Sequence, residues 1–138
     1  MPEHRATLPL LLAVGTLALG CGGEAPVTDR DGVLRLELTE YAVDPGRIVT
    51  RAGVVRIVAR NRGVLTHNVA VVTAPEPGED EQELGRTDTA FPGERVTERL
   101  PILLRPGRYR LVCTISNHDN LGQYAELEVV ASLGDSER

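Results

Sequence analysis

From Val33 onward the apolar residues of this chain recur at every second position, and that period restricts the fold more than any other property of the sequence. Successive side chains of a strand point to opposite faces, so in VLRLELT Leu34, Leu36 and Leu38 share one face while Arg35 and Glu37 share the other. A turn at Asp44-Pro45-Gly46 leads into RIVT, and Ala52-Gly53 leads into VVRIVAR, where Val55, Ile57 and Ala59 oppose Arg56 and Arg60. Asn61-Arg62-Gly63 connects to THNVAVV, and Pro106-Gly107 precedes RYRLVC and QYAELEVV. Pro101 makes VTERLPILL an edge or bent strand, because proline has no N–H to give to a ladder. Between these strands, Ala74 to Arg95 carries seven acids against two arginines and reads as a long solvated excursion with room for a short helix over Glu79 to Leu84.

About seven to eight short strands joined by Gly and Pro turns predict an all-β, antiparallel β-sandwich. A length of 138 residues suits a single domain, placed at 33–132 with a short tail at 133–138. With no Trp, one Phe and three Tyr, the core must be Val, Leu and Ile. That is sufficient at this size, since a domain of about 150 residues hides roughly 70% of its unfolded surface. A net charge of −5 argues against nucleic acid as a partner, because phosphate binding needs a basic face.

The N-terminus follows a different logic. His4 and Arg5 precede the uncharged run LPLLLAVGTLALG (Leu8 to Gly20), too short for a bilayer span of about 20 residues but suited to a secretory signal at 1–20. Leu17-Ala18-Leu19-Gly20 before Cys21 resembles the lipobox of bacterial lipoproteins, loosely, because Ala18 stands where Leu is usual. Lipidation would make Cys21 a membrane anchor and 21–32 a flexible tether, placing the protein at the periplasmic or cell-surface side of the membrane. Cleavage elsewhere would leave Cys21 free to pair with Cys113 in a disulfide. If Cys21 is lipidated, Cys113 is a lone thiol in an oxidising compartment and needs protection.

Extending the strand phases locates the chemistry. Cys113 continues the inward face of Tyr109 and Leu111, and Gln123 begins the inward face of Ala125, Leu127 and Val129. His67 shares a face with Val69 and Val71, although the opposite face of that segment is nearly as apolar. His118 sits in the loop between two of these strands. Each residue alone has a plainer account: a buried Cys as a small apolar filler, a His at the surface, a Gln bonded to nearby backbone. Jointly, polar groups turned inward at a cost of about 1–3 kcal/mol each favour a shared metal ion. One thiolate, two imidazoles and a weak oxygen donor suit the His₂Cys copper sites of electron carriers; zinc tolerates these ligands, but structural zinc prefers four strong ones.

Two motifs, Asn-x-Gly-x-x-x-His-Asn over Asn61 to Asn68 and Cys-x₄-His-x₄-Gln over Cys113 to Gln123, resemble those of the cupredoxins, small exported blue-copper proteins, and the likeness extends over Glu40 to Val130. The resemblance implies a Greek-key sandwich with one copper per chain, His67, Cys113 and His118 as equatorial ligands and Gln123 as the axial one. It also implies that Asn68 ties the two ligand segments together, with Thr114 and Asn117 as further supports. Most members have an axial Met, impossible here because Met1 is the only methionine; an axial Gln is similar to the stellacyanin-like minority and implies a lower reduction potential.

The resulting expectation is an electron-transfer carrier, not an enzyme, that exchanges electrons with an oxidase, reductase or cytochrome. A copper-trafficking or sensing module is the alternative. A Cys-His hydrolase would draw on the same residues, but no oxyanion signature accompanies them. Multicopper oxidases need His-x-His pairs, which this chain lacks.

Overall fold

The computed structural model describes Met1 and residues 23–134. In chain order the strands are β1 (Val27–Thr28), β2 (Val33–Thr39), β3 (Ala42–Asp44), β4 (Arg47–Arg51), β5 (Gly53–Asn61), β6 (Ala70–Thr73), β7 (Glu83–Arg86), β8 (Arg95–Thr97), β9 (Ile102–Leu104), β10 (Gly107–Val112) and β11 (Tyr124–Val130). They form two facing sheets, one ordered β1-β4-β11-β10-β6-β7 and the other β3-β2-β5-β8, with β9 also paired to β5. Among the described residues the one helical element is a 3₁₀ turn at Asp119–Leu121.

The period of two becomes the core between the sheets. Leu34, Leu36 and Leu38 of β2, Ile48 of β4, Val55, Ile57 and Ala59 of β5, Leu111 of β10 and Ala125, Leu127 and Val129 of β11 form one buried cluster. Burying a side chain of the Val, Leu or Ile kind stabilises by about 1.5–3 kcal/mol, which lets this aliphatic set hold a sandwich without Trp. Strand β6 is buried on both faces: Val71 joins the main cluster together with Val69 just before the strand, while Ala70 and Val72 pack with Val112 in a smaller one. That double burial is why the apolar phase of THNVAVV is ambiguous in the sequence.

The pairing departs from the expected antiparallel pattern. Strands β2 and β5 run parallel, as do β4 and β11 and β1 and β4, so both sheets are mixed. Apolar alternation reads the same in either direction, whereas strand direction is set by the connections. Eleven strands replace the expected seven to eight because short segments such as β1, β3 and β9 pair through their backbones. Pro101 separates β8 from β9, in keeping with a bent edge.

No helix forms over Glu79 to Leu84. Glu83–Arg86 instead becomes β7, antiparallel to β6 through Ala70↔Arg86 and Val71↔Gly85. Gly85 lies so close to Ile102 that an added Cβ would stand 2.9 Å from its side chain, a reason for Gly at this point. Four of the seven acids of the excursion are ion-paired: Glu76 with Arg108 at 3.2 Å, Glu81 with Arg110 at 3.5 Å, Glu83 with Arg86 at 2.6 Å and Asp88 with Arg99 at 2.7 Å.

Part of the segment expected as a tether contacts the sheet. Val27 and Thr28 pair with Ile48 and Val49, and the Asp29 carboxylate accepts from Thr50 Oγ1 at 2.7 Å and from the Gly32 N–H at 3.0 Å. Cys21, nearly all of the expected leader and the tail from 135 onward lie outside the described residues.

Strand β5 changes partner along its length, pairing with β9 over Gly53–Val55 and with β8 over Val58–Arg60. The gap is filled by the buried Glu98, whose carboxylate accepts the Ile57 N–H at 2.6 Å and pairs with Arg56. In phase with the half-buried Val96, this residue faces inward, and its carboxylate satisfies a backbone donor that would otherwise go without a partner.

Candidate metal centre

The candidate ligands gather at one end of the sandwich, where two loops meet. The first loop follows β5. Asn61, fully buried, donates from Nδ2 to the carbonyls of Leu65 (2.7 Å) and Ala90 (2.9 Å) and accepts from the Gly63 N–H at 2.9 Å, so one amide shapes the whole approach to His67. His67 then makes a two-bond bridge with Ala90, its N–H donating to Ala90 O at 3.1 Å and its carbonyl accepting from the Ala90 N–H at 2.7 Å.

The second loop joins β10 to β11. Its ends are closed by the Cys113 N–H donating to Gln123 O at 3.1 Å. Within it the His118 carbonyl accepts from both the Leu121 N–H (3.1 Å) and the Gln123 N–H (3.0 Å), folding the 3₁₀ turn under the imidazole. Gly122 adopts φ 109°, a left-handed conformation that costs glycine little, and an added Cβ would stand 3.2 Å from Tyr41 O, closer than ordinary contact. The two loops are joined by Asn68, which donates to Thr114 Oγ1 at 2.9 Å and accepts from the Thr114 N–H at 2.8 Å. Asn117 instead contacts Asn120 at the surface, and the structure gives it no hydrogen bond to a ligand.

This framework brings His67, Cys113 and His118 together, with ligand atoms all within 4.8 Å of one another. Cys113 Sγ lies 3.6 Å from His118 Nδ1, and the two imidazole centroids are 5.3 Å apart. Three donors this close surround a point near the roughly 2.0–2.3 Å reach of metal–imidazole and metal–thiolate bonds. Gln123 is completely buried, and its Nε2 donates to Thr39 O at 2.9 Å. The amide is thereby oriented, and its Oε1 is left buried with no hydrogen-bond partner, as are both ring nitrogens of His67. Such orphaned atoms are costly unless something shares them, and a metal ion fits both the donors and their number.

The electrostatics agree. Burial pushes the His67 imidazole below its ordinary pKa, only partly offset by Glu40, which keeps the ring in the neutral form that ligates metals. Glu40 is itself held below the usual carboxylate range, first by the Leu65 N–H and then by the Val64 N–H. Its Oε1 stands 3.5 Å from His67 Nε2, without hydrogen-bonding alignment. Tyr41, at φ 61°, sets its ring edge-on to His118 with centroids 5.6 Å apart. His118 retains 9% exposure, the largest of the four ligand candidates, whereas Cys113 retains none.

Cys113 and Gln123 are buried as their strand phase requires, and the structure brings both histidines of the motifs to Cys113. Missed were the roles of Asn61, Glu40 and Tyr41. Asn61 was visible as the first letter of its motif, but nothing in the spacing marks Glu40 or Tyr41, whose part depends on a turn arriving from the opposite sheet.

No family model matches the chain, and neither does any curated protein. Solved structures do. The dithionite-reduced auracyanin of the photosynthetic bacterium Roseiflexus castenholzii superposes with a TM-score of 0.63 at 17% identity, over 74% of this chain and 99% of that one. Auracyanin A, a "blue" copper protein of Chloroflexus aurantiacus, gives a TM-score of 0.54 at 20% identity over 72% of this chain and 100% of that one. A rusticyanin variant carrying a methionine-to-glutamine substitution gives 0.55 at 17% identity over 76% and 82%. Identities this low speak for architecture alone, and the two-sheet sandwich of this chain is the one these proteins share, the cupredoxin fold.

Proposed function

We propose that this chain is an exported type 1 copper protein that carries electrons between redox partners. The observation that carries the reading is the closure of His67, Cys113 and His118 to within 4.8 Å beside the orphaned Gln123 Oε1. One thiolate, two imidazoles and an amide oxygen form a mixed soft and hard set suited to copper, and too few strong ligands for a structural zinc. Copper held there would supply a one-electron couple between Cu(I) and Cu(II). The protein's own part is to keep His67 neutral, present the Cys113 sulfur, hold the Gln123 amide by Thr39 and bury the whole set, leaving the His118 edge as the approach for a partner. Full burial of Cys113 also disfavours hydrolase chemistry, since a nucleophilic thiolate must reach its substrate.

The test is to add Cu(II) to the purified protein and record its visible spectrum. An intense thiolate-to-copper band, lost in Cys113→Ser, is expected; a colourless protein that takes up zinc only would overturn the reading. Rapid self-exchange with retained copper is the carrier's behaviour, whereas ready handover of Cu(I) to an acceptor would favour trafficking. Export and anchoring at Cys21 belong to the same proposal, supported by the uncharged run Leu8 to Gly20. Incorporation of labelled fatty acid that persists in Cys21→Ser would remove the anchor from it.

A further inference from the structure

The turn between β2 and β3 meets three of the four candidate ligands. Thr39 O accepts from Gln123 Nε2 at 2.9 Å, Glu40 Oε1 stands 3.5 Å from His67 Nε2, and the Tyr41 ring lies 5.6 Å from that of His118. Glu40 is no freely solvated acid: the same Oε1 accepts the Val64 N–H at 2.7 Å and the Leu65 N–H at 3.0 Å. Its carboxylate also lies against Gly63, where an added Cβ would overlap it. A carboxylate fixed by two backbone donors and a glycine is aimed, and 3.5 Å from it lies a buried imidazole nitrogen that has no hydrogen-bond partner.

We propose that Glu40 is a positioning residue for the metal centre: a small turn of the ring lets its carboxylate, 3.5 Å away, accept the Nε2–H of His67, fixing the tautomer that leaves Nδ1 as the metal-binding atom. A neutral imidazole carries one N–H, so an acceptor at Nε2 puts the lone pair on Nδ1. A carboxylate in that place also makes the ring a stronger donor and favours the more highly charged metal state. The proposal rests on reading the site as a copper centre.

Two variants separate this role from plain support of the loop. Glu40→Gln keeps an oxygen for the Val64 and Leu65 N–H groups but loses the charge. Gly63→Ala keeps the charge and displaces the flexible end of Glu40. In the full chain loaded with Cu(I), nitrogen-edited NMR of the wild type is expected to show the His67 ring proton on Nε2, far downfield. In each variant it moves upfield, Cu(II) affinity by chelator competition falls about tenfold or more, and the reduction potential rises, while the apo melting transition is retained. A ring proton on Nδ1 in the wild type overturns the proposal, as do an unmoved resonance and unchanged affinity in Glu40→Gln. Should that variant fail to fold, Gly63→Ala is read by the same criteria. A wild type that takes up no copper overturns both readings; a copper-loaded wild type with an indifferent Glu40→Gln overturns this one alone.

Discussion

Asn68 and Thr114, 46 residues apart in the chain, clasp each other through both ends of the Asn68 amide, Nδ2 to Thr114 Oγ1 at 2.9 Å and Oδ1 from the Thr114 N–H at 2.8 Å. Each is the immediate neighbour of a candidate ligand, His67 on one side and Cys113 on the other. The spacing of the site is thus set by protein hydrogen bonds, before any metal is considered.

Asn68→Ala should therefore loosen the site and destabilise the apo protein. It leaves the Thr114 N–H without its acceptor, at about 1–3 kcal/mol. Urea unfolding of the apo form measures the loss; a transition superimposable on the wild type would show that the clasp is idle.

Gln123→Met exchanges an oriented amide oxygen for a thioether. Copper should be retained and its reduction potential should rise, because the softer donor no longer favours Cu(II). Apo stability should drop by about 0.5–1.5 kcal/mol, since Thr39 O loses its donor. Voltammetry that finds the potential unchanged would remove Gln123 from the ligand set.

Glu98→Ala should be among the more damaging substitutions remote from the site. It strips the Ile57 N–H of its acceptor and Arg56 of its partner in the gap where β5 passes from β9 to β8. The expected loss is about 1–3 kcal/mol by denaturant unfolding, with the visible spectrum of the copper-loaded protein preserved. A spectral change would mean that strain reaches the centre along β5.

Asp31 gives the acid limb of stability a defined contributor. Its hydrogen bond with Arg35, with help from the Val33 N–H, lowers its pKa from 3.8 to about 2. A carboxyl with a depressed folded-state pKa adds stability above its unfolded pKa, and that contribution disappears as the pH falls through its folded value. Thermal melts of Asp31→Asn should therefore converge on those of the wild type between pH 4 and about 2 and differ most above that window.

The sequence was legible where side-chain alternation carries information. Leu34, Leu36, Leu38, Val55, Ile57 and Ala59 face the core as their spacing requires, and Cys113 and Gln123 are buried because they lie in phase with such residues. It was illegible where backbone groups decide. The β7 segment is polar and mostly exposed, and only its ladder with β6 makes it a strand. Parallel pairing of β4 with β11 leaves no mark in either segment, since a strand's alternation is the same whichever way its neighbour runs. Glu98 and Glu40 act through partners 41 and 24 residues away, distances at which local spacing says nothing.

The mixed topology also bears on how the chain assembles. Because β2 and β5 run side by side, as do β4 and β11, their pairing requires long connections to close, and topologies rich in such distant contacts assemble slowly. His67 and Cys113 belong to segments that meet only when β10 docks on β6. The pairing that completes the site is also the pairing that completes the sheet, so uptake of an ion by all three ligands would report that β10 and β6 have docked.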